Sequence, residues 1–258
     1  MWFGELITEK GIGNGASVII FVGIVGAMPS YVINTITLIK GGIPIWNVIV
    51  MAVMFLFVTV GIVVVQESQR NLPVQYAKRV VGRKMYGGQN TYLPMKINQG
   101  GVIPIIFASS VLSLPIMLIQ FFPKMDFLNS WLGYGSPLYI TIFAGLIFFF
   151  TYFYTAITFN PQELADNIKK YGGFILGVRP GKPTAEYLDA VITRLTFVGA
   201  AFLSIISIVP MLTAKVTHVT SFMGLGGTAL LIIVGVAIDI VRQIETILIS
   251  NKYEKLVR

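Results

Sequence analysis

Long apolar runs separated by polar segments make up most of this 258-residue chain. A helix needs about 20 apolar residues to cross the hydrocarbon core of a bilayer, and six runs are long enough. Unpaired backbone amides are costly in lipid, so each run must form a helix or a strand of a closed barrel. Runs such as LIFFFTYFYTAITF do not alternate with polar residues as barrel strands do, which favours helices. The predicted spans are Ser17–Ile39, Ile43–Val65, Gly100–Phe122, Pro137–Phe159, Leu195–Thr213 and Phe222–Ile240.

The composition agrees with a membrane protein and narrows the possible chemistry. Hydrophobic residues make up 55% of the chain and charged residues 12%, a balance outside the range of soluble domains. The chain has no cysteine, which excludes disulfides and cysteine-bound metals, and the single histidine, His218, cannot build a histidine metal cluster. The first segment, MWFGELITEKGIGNG, lacks the pattern of a signal peptide and is predicted to form an interfacial helix and turn.

Basic residues are distributed unevenly between the two sides of the predicted membrane. Of the 19 Lys and Arg residues, only Lys40, Lys124 and Lys215 lie in the loops on one side, which leaves 16 for the other side. The side with 16 holds both termini and two long loops, at about residues 66–99 and 160–194. The positive-inside rule therefore predicts that both termini and both long loops are cytoplasmic.

The first long loop has the pattern of a short hairpin. Apolar and basic residues nearly alternate in LPVQYAKRVVGRKMYGGQNTYLPM, which favours two strands that turn around Gly82. At roughly thirty residues, this loop is longer than a simple connection between helices requires, and such loops are usually functional or disordered. Its many apolar residues argue against disorder.

The second long loop is predicted to contain two helices. Asn160 can cap a helix that Pro161 begins, and the glycine pair Gly172 and Gly173 can end it. A further helix is predicted to begin near Pro183 and to continue into the fifth span.

The segment FILGVRPGK between these helices is predicted to be a rigid exposed tip that carries Arg179 and Lys182. Two interpretations of the basic residues in both loops stay open. They set the membrane topology, or they form a docking surface for an acidic partner such as ribosomal RNA or an acidic cytosolic protein.

The residues offer no arrangement for catalysis. An intramembrane aspartyl protease needs paired carboxylates, but Asp239 is the only acidic residue within a span. A serine hydrolase needs a base, and the only histidine lies in a short external loop. The glycine clusters contain no lysine-terminated phosphate loop. A secondary transporter would need buried ionisable residues for its coupling ions, and the spans offer almost none. A plain membrane scaffold is a further alternative.

Several long segments, in the same order, resemble the bacterial SecY family, the central subunit of the Sec protein-conducting channel. They are GELITEKGIGNGASVIIF, NTYLPMKINQGGVIPIIFASS, FYTAITFNPQELADNIKKYGGFILGVRPGKPTAEYL and RLTFVGAAFL. The resemblance implies an all-α membrane protein whose six spans correspond to the fifth to tenth spans of a ten-helix fold. Residues 1–42 would hold the interfacial segment and the last helix of the N-terminal half, and residues 43–258 the C-terminal half. The first four spans would then be missing from this chain.

The resemblance also implies a pore. The family narrows its pore with a ring of bulky aliphatic side chains, and the matching positions are Ile20, Ile106 and Ile232, while Ala16 departs from the larger residue of many relatives. A narrow apolar constriction excludes ions by dewetting and can part for an extended polypeptide. Apart from the resemblance, these isoleucines match ordinary lipid-facing or core residues.

The third span is expected to form one side of a lateral gate. Glycine and proline weaken this helix, while Asn98, Ser109 and Ser110 place polar groups along it. A mobile helix with a partly polar face suits a gate through which signal sequences reach lipid. Glycine and serine that simply permit close helix packing are the alternative.

The partners implied by the resemblance are proteins, RNA and lipid, and no cofactor, metal or catalytic residue is expected. Small SecE-like and SecG-like subunits, the missing N-terminal half, the SecA motor, the ribosome and signal-sequence-bearing polypeptides would bind a channel in the bacterial plasma membrane. The SecA motor or the ribosome would dock on the basic loops. The docking residues are expected to be Arg79, Arg83, Lys84, Arg179 and Lys182.

Overall fold

A computed structural model describes residues 2–76, 79–81, 84–86, 90–121, 133, 135–217, 219 and 226–257. The chain is mostly helical, as predicted, but it is not all-α, because short strands form where the two long loops were expected. The helices are α1 (Trp2–Lys10), α2 (Gly15–Lys40), α3 (Ile45–Glu67), α4 (Ile103–Phe121), α5 (Pro137–Thr158), α6 (Pro161–Lys170), α7 (Lys182–Thr217) and α8 (Gly227–Val257). The strands are β1 (Gln69–Tyr76), β2 (Arg79–Val81), β3 (Lys84–Tyr86), β4 (Asn90–Lys96) and β5 (Gly173–Ile175).

Four helical segments in the described part of the chain are long and apolar enough to cross a membrane. They are Gly15–Lys40, Ile45–Glu67, Pro137–Lys170 and Lys182–Thr217, and they correspond to the first, second, fourth and fifth predicted spans. The third predicted span corresponds to the shorter apolar helix α4. Of the sixth predicted span, residues 227–240 belong to α8, and residues 222–225 lie outside the described residues. The chain is therefore a multi-pass membrane protein, while the count of six spans stays a prediction.

The contacts divide the chain into two units, of which the first holds Met1–Val64, Leu118–Ile140 and Ile205–Arg258. In this unit α1 folds back on the start of α2, where the backbone of Gly4 touches Gly15. The predicted helix and turn before the first span are therefore confirmed.

Polar contacts fix both ends of the first unit. Near one end, the Gly13 amide donates to the Gln243 side-chain oxygen of α8 at 2.5 Å. Near the other end, the Asn47 side chain of α3 donates to the Thr217 carbonyl of α7 at 3.0 Å. Met51 is buried in a small cluster beside this second contact.

The second unit holds Val65–Met117 and Thr141–Ser204, and in it the two long loops form one folded domain. Its central sheet has the order β4-β1-β5, with both pairs antiparallel. A buried core unites strands from the first loop with helices α6 and α7 from the second. The buried members are Leu72, Val74, Met95, Ala165, Ile168, Ile175, Ala185, Leu188, Val191, Ile192 and Leu195. We call residues 69–96 and 160–195 the loop domain.

Candidate docking site

The tip of the loop domain, Leu176–Gly181, lies between strand β5 and helix α7. Helix α6 leads into β5, and its start is capped as predicted. The side-chain oxygen of Asn160 accepts from the amides of Gln162 and Glu163 at 3.2 and 3.4 Å, and Pro161 is the first helical residue. Gly172 ends the helix with a φ of +72°, a left-handed conformation that glycine adopts without strain.

Strand β5 fixes the tip to the first long loop. Its partner is β1, with Val74 opposite Ile175 and Tyr76 opposite Gly173. Gly173 is buried, and a Cβ atom at this position would lie 3.1 Å from the side chains of Tyr76 and Val74. A larger residue would therefore push β5 away from β1.

Hydrogen bonds and glycines shape the tip itself. The Val178 amide donates to the Ile175 carbonyl at 3.1 Å and closes a turn in which Gly177 has a φ of +84°. The Gly181 carbonyl accepts from the amides of Thr184 and Ala185 at the start of α7. The prediction of a structured tip is confirmed.

Thr184 holds the backbone of the tip beside Arg179. Its hydroxyl donates to the Arg179 carbonyl at 2.8 Å, and only 1% of the Thr184 side chain is exposed. The Arg179 and Lys182 side chains are exposed, as predicted. The sequence did not predict this hydrogen bond of Thr184, because the segment PTAEYL indicates only the start of a helix.

An open cleft lies next to the tip, between the starts of α6 and α7. Its polar lining includes Lys182, Glu186 and Asp189. Two exposed cations, Arg179 and Lys182, are therefore accompanied by two exposed carboxylates on the first turns of α7.

The predicted hairpin of the first loop is confirmed in its described strands. Arg79 pairs with Tyr86 and Val81 with Lys84, while Gly82 and Arg83, the expected turn, lie outside the described residues. Strands β1 and β5 are antiparallel. The chain therefore leaves β5 toward the tip at one end of the pairing and leaves β1 toward the hairpin at the other end.

The three isoleucines assigned to the pore ring are distributed over both units. Ile20 is 47% exposed and Ile106 is 41% exposed, while Ile232 is partly buried. Ala16 is exposed in the first turn of α2. Because Ile20 and Ile232 belong to the first unit and Ile106 to the second, the ring stays a prediction.

The polar groups assigned to the lateral gate are largely satisfied within their own segment. The hydroxyls of Ser109 and Ser110 both donate to the Ile106 carbonyl, at 2.9 and 2.7 Å. Asn98 is 5% exposed and donates to the Gly101 carbonyl at 3.2 Å, but its side-chain oxygen has no partner. The side-chain amide of the neighbouring Gln99 also has buried nitrogen and oxygen atoms without a hydrogen-bond partner, a feature that the sequence did not predict.

The described residues contain no group of three His, Asp or Glu side chains that could hold a metal ion. The candidate site consists of an exposed basic tip on a folded domain.

Comparison with known proteins identifies relatives over the whole chain. The family model described as SecY matches residues 1–241. A protein translocase subunit SecY of Thermotoga maritima is 46% identical over 258 residues, covering 100% of this chain and 58% of the relative. A subunit of the same name from Mycobacterium tuberculosis is 48% identical over 267 residues, covering 98% of this chain and 60% of the relative. The chain thus spans about three fifths of these relatives.

Two solved structures share the fold. One concerns the plug domain of the SecY protein and the closed state of the translocation channel, with a TM-score of 0.65 and 17% identity, over 94% of this chain and 61% of that chain. The other is a protein conducting channel, with a TM-score of 0.60 and 19% identity, over 93% of this chain and 60% of that chain.

Proposed function

The chain belongs to the SecY family, and we propose on that premise that it is part of a protein-conducting channel in the bacterial plasma membrane. The channel moves unfolded secretory polypeptides across the membrane and delivers membrane segments into the bilayer. It is a passive pore rather than an enzyme, and a docked SecA motor or ribosome drives the polypeptide. Both termini and the loop domain face the cytoplasm, in accord with the distribution of basic residues.

The observation that carries the docking role is the hydrogen-bonded tip with its exposed arginine. Helix α7 has 36 residues and is about 54 Å long at 1.5 Å per residue, whereas the hydrocarbon core is about 30 Å thick. One end of α7 therefore extends beyond the lipid, and the buried core of the loop domain surrounds its first turns. This geometry supports a tip that is held rigidly in the aqueous phase.

Helix α2 supports the need for further subunits. None of its most apolar 18-residue stretch is buried within this chain, whereas 56% of the corresponding stretch of α7 is buried. We propose that α2 contacts the remaining N-terminal spans of the channel and lipid. SecE-like and SecG-like subunits complete the assembly. Signal sequences leave through a lateral gate beside α4, which carries Ser109 and Ser110 and is preceded by Asn98.

The proposed pore gives a direct test of channel function. Ile106→Asn, in the complete channel, should raise resting ion conductance, because an amide at an apolar constriction stabilises water there. The measurement is a planar-bilayer recording with the assembled channel.

Val111→Asn is the matched control for the pore test. Val111 lies on the same helix, five residues or about 140° further round, and is similarly exposed. Equal conductance in the two variants would remove Ile106 from the ring. Ile232→Asn and Ile20→Asn are expected to behave like Ile106→Asn.

Thr184 provides a test of the preformed tip. Thr184→Val keeps the shape of the side chain but removes the hydroxyl that holds the Arg179 carbonyl. A net hydrogen bond contributes about 1 kcal/mol, so SecA affinity should fall roughly fivefold. Thr184→Ser, which keeps the hydroxyl, should restore affinity.

A double variant separates positioning from general stability. If Thr184 acts through Arg179, the effect of Thr184→Val on affinity should disappear in an Arg179→Ala background. Fully additive losses would mean that Thr184 supports only the fold.

A further inference from the structure

The corner between α1 and α2, residues 11–15, is shaped by local hydrogen bonds. The Gly11 amide donates to a carbonyl of the last turn of α1 at 2.8 Å, and the Gly15 amide donates to the Thr8 hydroxyl at 2.9 Å. The side-chain oxygen of Asn14 accepts from two amides at the start of α2. All of these bonds stay within α1, the corner and the first turn of α2.

The Gly13 amide differs from these, because it is buried and its acceptor lies on another helix. It donates to the side-chain oxygen of Gln243 on α8, 230 residues later in the chain. A Cβ atom at Gly13 would lie 3.5 Å from the Ile240 side chain, which is three residues before Gln243 and therefore on the same face of α8. With a φ of +91°, Gly13 also has a backbone conformation that favours glycine. The corner thus approaches α8 closely and is joined to it through Gln243.

The two helices that meet at this corner carry two of the isoleucines proposed for the pore ring. Ile20 lies five residues after Gly15 on α2, or about 7.5 Å along the helix axis. Ile232 lies 11 residues before Gln243 on α8, or about 16 Å along the axis. Both isoleucines belong to the first unit. A helix without a kink changes direction little over three turns, so the contact at the corner affects how closely α2 and α8 approach each other at these positions.

We propose that Gln243 is a positioning residue of the channel, and that its side chain holds α2 against α8 and so keeps the resting pore narrow. Loss of its oxygen would leave the Gly13 amide buried and unpaired while the corner stays packed on α8. The packed arrangement would then lose stability relative to one in which the helices separate and the amide reaches water. This inference rests on the proposed pore and adds a residue outside the ring that controls its closure.

The test measures resting conductance of the complete channel in planar bilayers and hydrogen exchange of the Gly13 amide in the same preparations. Gln243→Met removes the acceptor at similar side-chain length, and Gln243→Glu keeps an acceptor oxygen. We expect Gln243→Met to raise resting conductance and the exchange rate at Gly13 about tenfold each, because the buried amide loses its partner. Gln243→Glu should stay close to the parent channel in both measurements.

Glu245→Met is the matched control, because Glu245 is exposed on the same helix and lies about 200° further round. This variant should leave conductance and exchange unchanged. An equal rise in conductance with Gln243→Glu or with Glu245→Met would overturn the proposal, since the acceptor oxygen of Gln243 would then not be the cause.

Ile106→Asn serves as the reference for the pore itself. If Ile106→Asn raises resting conductance and Gln243→Met does not, the pore assignment stands and the positioning role of Gln243 is wrong. If neither variant raises conductance, the proposed pore fails and this inference fails with it.

Discussion

Arg179→Glu is expected to abolish SecA-driven translocation while the abundance of the channel stays unchanged. The side chain is exposed, and its guanidinium has no hydrogen-bond or ion-pair partner among the described residues. An exposed charge of this kind contributes little to stability, so its reversal should not unfold the loop domain. At the docking surface, however, the variant would place a carboxylate where an acidic partner is proposed to bind, and the two negative charges would repel each other.

Arg179→Lys is expected to give an intermediate rate. Lysine keeps the charge but cannot form the planar two-pronged contact of a guanidinium. The measurement is a translocation assay in vesicles that contain the complete channel, with SecA affinity and channel abundance measured in the same samples. Lys170→Glu is the matched control, because Lys170 is exposed on the same domain at the last turn of α6. Full transport by the Glu variant at normal abundance would refute docking through Arg179.

Features with a local signal could be predicted from the sequence. The cap at Asn160 and the start of α6 at Pro161 depend on residues next to each other, and both are confirmed. The hairpin β2–β3 follows from alternation around a glycine, and α7 begins at Lys182, one residue before the predicted Pro183. The apolar spans follow from composition alone.

The union of the two loops could not be predicted in this way. Strand β5 has only three residues, and its partner on β1 lies about a hundred positions earlier in the chain, as the pair Val74 and Ile175 shows. No short window of sequence encodes such a pairing. It depends on a shared core to which Leu72 and Leu188 contribute from separate loops.

The candidate site divides in the same manner. Charge and glycine content indicated a basic tip, but the bond from Thr184 to the Arg179 carbonyl requires the fold of the turn. The serines of α4 were expected to form a polar face, yet Ser109 and Ser110 direct their hydroxyls to the backbone of their own helix. Such bonds lower the cost of a hydroxyl in lipid, so serine in a span is weak evidence for a polar path.

Because β5 joins the two long loops, Gly173→Val is expected to destabilise the loop domain strongly. In this variant the new side chain meets Tyr76, Val74 and Ile168, whose nearest atoms would lie 3.1 to 3.2 Å from the Cβ atom. Overpacking of this kind costs about 1–3 kcal/mol, although valine itself favours strands. Because β5 is only three residues long, we expect it to leave the sheet and to free the tip.

The separation of β5 should be visible as protease sensitivity in both long loops, although only one residue in the second loop is changed. Protection of the first loop depends on β1. If β5 leaves the sheet, β1 loses this pairing and Val74 loses its burial. Gly145→Val is the control, since Gly145 lies on α5 with open space around its Cβ position. SecA docking should fall with Gly173→Val and remain normal with Gly145→Val. Cleavage confined to the second loop would show instead that each loop folds by itself, and that the tip is positioned by α6 and α7 alone.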